Sequence, residues 1–518
     1  MNEDRFLPSR RQVMAVGLAL GSAAWAGRGD PVARTASGPV RGLREDGLLV
    51  FRGLRYGADT GPRRFRPPMA PTPWKDPLPC LAYGHASPQR GKETDQSEDC
   101  LFLNIWTPGA DNGRRPVMLY IHGGAYATGS GSSPLYDGTR LAVRGDVVVV
   151  TVNHRLGPFG YLYLNRLIPG FEDGGNAGML DLVLALRWVR DNIAAFGGDP
   201  QRVMLFGQSG GGAKIATLMA MPAAKGLFHR AATMSGQQLT ASGPGNATRR
   251  TQALLEALKA RPEDLATMPA ARILEGLGAT DPVIGSGGVY FGPVLDERSL
   301  TRHPFYPDAP PQSAGVPMII GNTHDETRGF FSDPETFALT WDELPGRLIP
   351  QMRVDIDPHL VVARYRQLYP AYSPTDVFFA ATTAARSWRA AIVEAELRAA
   401  QGSPAFAYQL DWASPKDGGK WGAPHTLDIP LVFGTLDAPG SITGVGEDAR
   451  RVSGLMMDAF IRFARGGDPN GAGLPAWEPY SLARRQTMVW NVEPKLVDDP
   501  RGEERKLFEK VPFIQQGT

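Results

Sequence analysis

The stretch Val203-Met204-Leu205-Phe206-Gly207-Gln208-Ser209-Gly210-Gly211-Gly212 decides how the rest of the chain is read. Its first four residues are apolar and strand-like, and a helix-like run continues from Gly212 to Met221. A strand, a tight glycine-lined turn and a helix therefore meet at Ser209. The pattern Gly-x-Ser-x-Gly is that of a nucleophile elbow, whose strained turn holds the serine above the end of a sheet. Small residues on either side let neighbouring segments approach, and the N–H groups of the helix N-terminus point at developing negative charge. Such a pentapeptide also occurs as a plain turn. The chain must therefore also supply an acid, a histidine and an oxyanion hole, in the right order.

The chain has 518 residues, 42% of them hydrophobic and 21% charged, an ordinary globular composition. Its 55 Lys and Arg nearly balance 53 Asp and Glu. A net charge of +2 implies neither a nucleic-acid nor a membrane-surface partner. Length alone would allow about three domains, but no linker separates the segments. Residues 27–518 read as one domain with long insertions. The first 26 residues differ. Ser9-Arg10-Arg11-Gln12 carries a twin arginine, Ala15 to Ala24 is weakly apolar and too short to span a bilayer, and Ala24-Trp25-Ala26 fits a small-x-small cleavage site. We expect a twin-arginine export signal and a periplasmic or secreted protein with no stable membrane anchor. The only cysteines, Cys80 and Cys100, then suggest one disulfide. The loop between them is polar and lacks the apolar inner face of a lipase lid.

Strand-like stretches alternate with helical ones. Val32 to Thr35, Val40 to Leu43 and Leu48 to Phe51 read as a small antiparallel meander. Arg64 to Pro68 reads as an extended surface strap, because proline blocks regular structure. Leu101 to Trp106, Pro116 to Ile121 and Val147 to Val152 are further strands. In Gly178 to Phe196, Leu182, Leu186, Val189 and Ile193 share one helical face. Strands are also expected near 231–234, 317–320, 406–410 and 487–490, with helices over 249–260, 376–400 and 448–465. The alternation predicts an α/β fold, a large and mostly parallel sheet covered by helices on both faces.

Acyl transfer through serine needs a base, an acid that orients it, and N–H donors for the oxyanion; metal and cofactor have no part in it. In this kind of fold the order is Ser, acid, His. Of eight histidines, His85, His122 and His154 precede Ser209. His229 follows it too closely, His303 sits among prolines, and His324 shares a short loop with the acid candidates. His359 opens a helix and suits the surface. His425 sits in a loop, Gly422-Ala423-Pro424-His425, and suits a base. The strand Pro317 to Ile320 leads to Asp325 and Glu326, between which pattern alone does not choose. His122-Gly123-Gly124 follows a strand, as an oxyanion loop should, so the candidate donors are the N–H groups of Gly123, Gly124 and Gly210.

These motifs resemble the type-B carboxylesterase family, α/β-hydrolases that include cholinesterases and para-nitrobenzyl esterases. The likeness covers about 32–510. It rests on Ser97-Glu98-Asp99-Cys100-Leu101-Phe102-Leu103-Asn104, His122-Gly123-Gly124-Ala125, Asn153-His154-Arg155-Leu156-Gly157, Gly175-Asn176-Ala177-Gly178, Phe196-Gly197-Gly198-Asp199-Pro200, the elbow, and Phe463-Ala464-Arg465-Gly466-Gly467-Asp468-Pro469-Asn470. The resemblance implies a serine carboxylic-ester hydrolase acting on a small-molecule ester, selects Glu326 as the acid, and supports His425 and the Cys80–Cys100 bridge. Two departures stand out: the family usually has Glu where this chain has Gln208, and Ala where it has Gly210. The Cys loop also lacks the Trp that holds choline by cation–π attraction, so a choline ester is not expected. A lipase and a non-catalytic binding protein of the same fold are the rival readings.

Overall fold

The structure, a computed structural model, describes residues 29–515 and 517, so the expected export signal lies outside the described residues. The first strands are β1 (Val32–Thr35), β2 (Gly38–Arg41), β3 (Leu43–Glu45), β4 (Leu48–Arg55) and β5 (Leu78–Pro79). They do not form the single meander that their spacing predicts. β1, β2 and β5 make a small three-stranded sheet, whereas β3 and β4 form one edge of an eleven-stranded sheet. The apolar side chains of Leu48, Val50, Phe51 and Leu54 explain the division, since all are buried against the larger sheet. The strap holds closer than a surface segment would. Phe65 is buried, and the Trp74 indole donates to the Pro39 carbonyl at 2.7 Å.

The larger sheet continues with β6 (Phe102–Thr107), β7 (Arg115–Ile121), β8 (Val148–Val152), β9 (Gly198–Gln208), β10 (Arg230–Met234), β11 (Met318–Thr323), β12 (Ala405–Leu410), β13 (Gln486–Trp490) and β14 (Lys495–Asp498). Its order is β14-β13-β12-β11-β10-β9-β7-β8-β6-β4-β3. From β8 to β13 every neighbouring pair is parallel, and the pairs outside that block are antiparallel. Side chains of β7 alternate between two cores. Val117, Leu119 and Ile121 enter one, with Leu182, Leu186 and Val189 of the helix Ala177–Asn192. Met118 and Tyr120 enter the other, with Val452, Met456 and Phe460 of the helix Glu447–Gly466. This is the two-sided burial that continuous apolar strands require. A third cluster, built from insertions around Leu344, Tyr365, Phe378 and Trp388, lies beyond the end of β11.

The helix expected over 376–400 is interrupted. Pro374–Thr383 and Arg389–Ala400 are α-helical, and Ala384–Trp388 between them is a π turn. Behind the sheet, Arg155 forms a buried bidentate pair with Asp181, at 2.6 and 2.9 Å, and its Nη1 donates to the Arg66 carbonyl at 2.8 Å. The motif around Asn153 is thereby tied to the helix Ala177–Asn192. Among the described residues no helix is long and apolar enough to cross a membrane.

The disulfide expected between Cys80 and Cys100 is not formed, and both are buried free thiols. Burial pushes the Cys80 thiol up to about 12 and raises that of Cys100 as well. Oxidation proceeds through the thiolate, which these apolar surroundings disfavour.

Candidate active site

β9 ends at Gln208, and the chain reverses sharply into the helix Gly210–Ala220. Ser209 sits at the reversal with φ 57° and ψ −127°, a conformation that a side-chain-bearing residue adopts only when its surroundings enforce it. The Ser209 N–H donates to the Met234 carbonyl at 2.8 Å, which locks the turn to the end of β10. Gly210 lies hard against the loop of Ala125, which would have to shift to admit a side chain. A Cβ at that position would lie 2.1 Å from the Ala125 carbonyl oxygen.

Two neighbouring loops meet at the same place. β11 runs into Glu326, which is fully buried. The loop after β12 brings in His425, whose Nδ1 donates to Glu326 Oε2. The other carboxylate oxygen accepts from the Thr323 N–H at 3.0 Å. Burial works to raise the Glu326 carboxyl. The interaction with His425, together with hydrogen bonds from His425, Ser235 and Thr323, outweighs it and holds the group below the usual carboxylate range. Glu326 is thus an ionised acid anchoring a histidine. Asp325 turns elsewhere, accepting from the Ala423 N–H at 2.9 Å and facing His324 at 3.3 Å. His359 is exposed in the first turn of Pro358–Leu368, behind the N-cap Asp357.

Gly123 and Gly124 follow β7 and line one cavity of about 450 Å³ together with Ser209, Gly210 and His425. Gly124 has φ +82°, which favours glycine. The structure brings Ser209, Glu326, His425 and the three glycines together at the carboxyl ends of the parallel strands, where open α/β sheets hold their ligands.

Sequence reasoning singled out Gln208 without foreseeing its contact with His425, and it missed Lys214. Gln208 Nε2 lies 3.2 Å from His425 Nε2. Lys214, one helical turn beyond Ser209 and completely buried, donates to the His122 carbonyl at 3.1 Å. Burial pushes its ammonium down to about 7. His122 stacks on His154, with ring centroids 4.9 Å apart, and burial pushes His122 down to about 3, so both the ring and its carbonyl belong to the underside of the glycine loop. A lysine inside an apolar helix was the available signal, though such lysines usually pair on a surface.

The sequence profile of the carboxylesterase family matches residues 29–508. The chain belongs to the carboxylesterase family. The para-nitrobenzyl esterase of Bacillus subtilis (strain 168) is 35% identical over 503 residues, covering 92% of this chain and 98% of that one. The phenmedipham hydrolase of Pseudarthrobacter oxydans is 36% identical, with 87% and 93% covered. A crystal structure of the Geobacillus stearothermophilus carboxylesterase superposes with a TM-score of 0.82 at 37% identity, covering 92% of this chain and 99% of that one. The fold is the α/β-hydrolase fold of these carboxylesterases, and the enzyme is a carboxylic-ester hydrolase.

Proposed function

We propose that this carboxylesterase works through an acyl-enzyme on Ser209, with His425 as base and Glu326 as the acid that orients it. Ser209 Oγ attacks the ester carbonyl while His425 Nε2 takes its proton. Glu326 Oε2 accepts from Nδ1–H and stabilises the imidazolium that forms. The N–H groups of Gly123, Gly124 and Gly210 receive the oxyanion, where preorganised donors contribute most. The imidazolium then gives its proton to the departing alkoxide, the acyl group stays on Ser209, and water reverses the sequence to release the acid.

The observation that carries this reading is the strained φ of Ser209, on a cavity shared with a histidine already bound to a buried carboxylate. A fluorophosphonate probe should label the wild type on Ser209 and leave Ser209→Ala unlabelled. The same variant should lose about 10⁴-fold or more in kcat on a short aryl ester. Activity largely kept by purified, folded Ser209→Ala sinks the assignment.

The substrate side of the reading is a small-molecule ester. Two relatives are named for a para-nitrobenzyl ester and for phenmedipham, and those names speak for those proteins. We also propose export by the twin-arginine route, supported by Arg10-Arg11 and by Ala24-Trp25-Ala26. Cell fractionation with Arg10 and Arg11 replaced by lysine tests it, and an unchanged periplasmic or secreted fraction rejects it.

A further inference from the structure

Lys214 is the one buried lysine among the described residues. The groups that face its ammonium are the His122 carbonyl oxygen at 3.1 Å, the Tyr126 ring with its centroid at 5.6 Å, and the imidazoles of His122 and His154. Burial keeps all three rings uncharged: it raises the Tyr126 phenol, pushes His122 down to about 3 and lowers His154. A buried ammonium faced by no carboxylate is costly. For packing alone, an apolar chain of similar length would serve better.

The carbonyl that Lys214 holds belongs to the same peptide as the Gly123 N–H. A trans peptide is planar and sets its C=O and N–H on opposite sides, so the N–H points away from Lys214. The elbow helix approaches the carbonyl side. A Cβ on Gly211 would lie 1.9 Å from the Ile121 carbonyl oxygen and 3.1 Å from that of His122. Gly123 itself lies against the nucleophile, where an added Cβ would meet that of Ser209 at 3.2 Å. A cation on a carbonyl oxygen draws electron density through the amide and makes its N–H a stronger donor. It also fixes the plane of the peptide, which the glycine following it restrains little.

We propose that Lys214 is a positioning residue of the reaction: from beneath the oxyanion loop its ammonium orients and polarises the His122–Gly123 peptide, so that the Gly123 N–H holds the oxyanion more tightly than it holds the ester carbonyl. The inference rests on the oxyanion role given above to Gly123. The charged form carries the effect. Because burial pushes the ammonium down to about 7, the stabilisation is full below that value and declines as pH rises through it.

Two matched ketones and a short aryl ester test this on the full chain. A trifluoromethyl ketone takes up the Ser209 oxygen and holds a tetrahedral alkoxide where the oxyanion forms, whereas the corresponding methyl ketone binds as an uncharged carbonyl. Lys214→Met should bind the trifluoromethyl ketone at least about tenfold more weakly and lower kcat on the ester by a similar factor. Its KM and its affinity for the methyl ketone should change by less than about threefold. A side chain that served packing alone would weaken both ketones together. The wild type supplies a reading that needs no variant to fold: its kcat should fall on the alkaline side as Lys214 loses its proton, and Lys214→Met should lack that limb. Equal weakening of the two ketones, a kcat within about twofold of the wild type, or a wild-type kcat with no alkaline fall overturns the proposal. The esterase reading fails separately, if the wild type does not hydrolyse the ester at all.

Discussion

Gln208 Nε2 lies 3.2 Å from His425 Nε2 and 3.3 Å from Nδ1, so the amide of the residue just before the serine sits against the imidazole of the proposed base. With Nδ1–H committed to Glu326, Nε2 is left as an acceptor, and the amide, nearly equidistant from the two ring nitrogens, does not lie along its lone pair. Gln208→Glu would put a carboxylate against the same ring and favour the imidazolium by Coulomb attraction. The acid limb of the kcat/KM–pH profile should move to higher pH in that variant, and a superimposable profile would show that Gln208 does not touch the working base.

Gly210→Ala tests how tightly the elbow fits its oxyanion loop. The added methyl would meet the Ala125 carbonyl 2.1 Å away, so the loop carrying Gly123 and Gly124 has to shift. Removing a single oxyanion donor typically costs about 10²–10³-fold, and displacing two should lower kcat by at least about tenfold while fluorophosphonate still reacts at Ser209. Steady-state kinetics with kcat unchanged would mean that the loop gives way without cost.

Lys214 predicts a pH dependence of stability. Its folded-state pKa, about 7, lies below the ordinary lysine value because of burial. Between those two values the unfolded chain binds the extra proton, so this residue makes stability rise with pH. Below about 7 both states are charged and the full burial penalty applies. Lys214→Met should remove a slope of at most about 1.4 kcal/mol per pH unit. Urea midpoints of both proteins from pH 6.5 to 9 measure it, and parallel curves would refute it.

Asp181→Ala should destabilise the fold by about 3–5 kcal/mol, because it leaves the Arg155 charge buried without its partner. Chemical denaturation gives the value directly. A loss under about 1 kcal/mol would show that water reaches Arg155 readily.

The sheet and the reacting groups were legible because each leaves a local pattern. Val147 to Val152 is apolar but for Thr151, and Val148–Val152 is buried throughout as β8. Ser209 and the loops of Gly123 and His425 are marked by glycine and proline. Asp325 and Glu326 were not separable by pattern alone, because which of two adjacent carboxylates faces a histidine depends on the path of a turn; only the family resemblance chose Glu326. The Cys80–Cys100 bond was inferred from an even count, an export signal and the family resemblance, and none of these senses the burial that both free thiols share. The contact of Gln208 with His425, and Lys214 altogether, were missed for a related reason: the partners lie 217 and 92 residues away. The interruption at Ala384–Trp388 was invisible, since one extra residue barely disturbs a 3.6-residue period.

That interruption gives the enzyme a mechanical adjustment. A π turn is an α-helix with one residue too many, and each helical residue turns the face by about 100°. Deleting a single residue between Ala384 and Trp388 would restore the regular ladder and rotate what precedes it relative to Arg389–Ala400. The group presented to the cavity would then change without any exchange of side chains near Ser209. In this helix, which side chains meet the cavity is a matter of phase, and an insertion or deletion would change them where point substitutions would not.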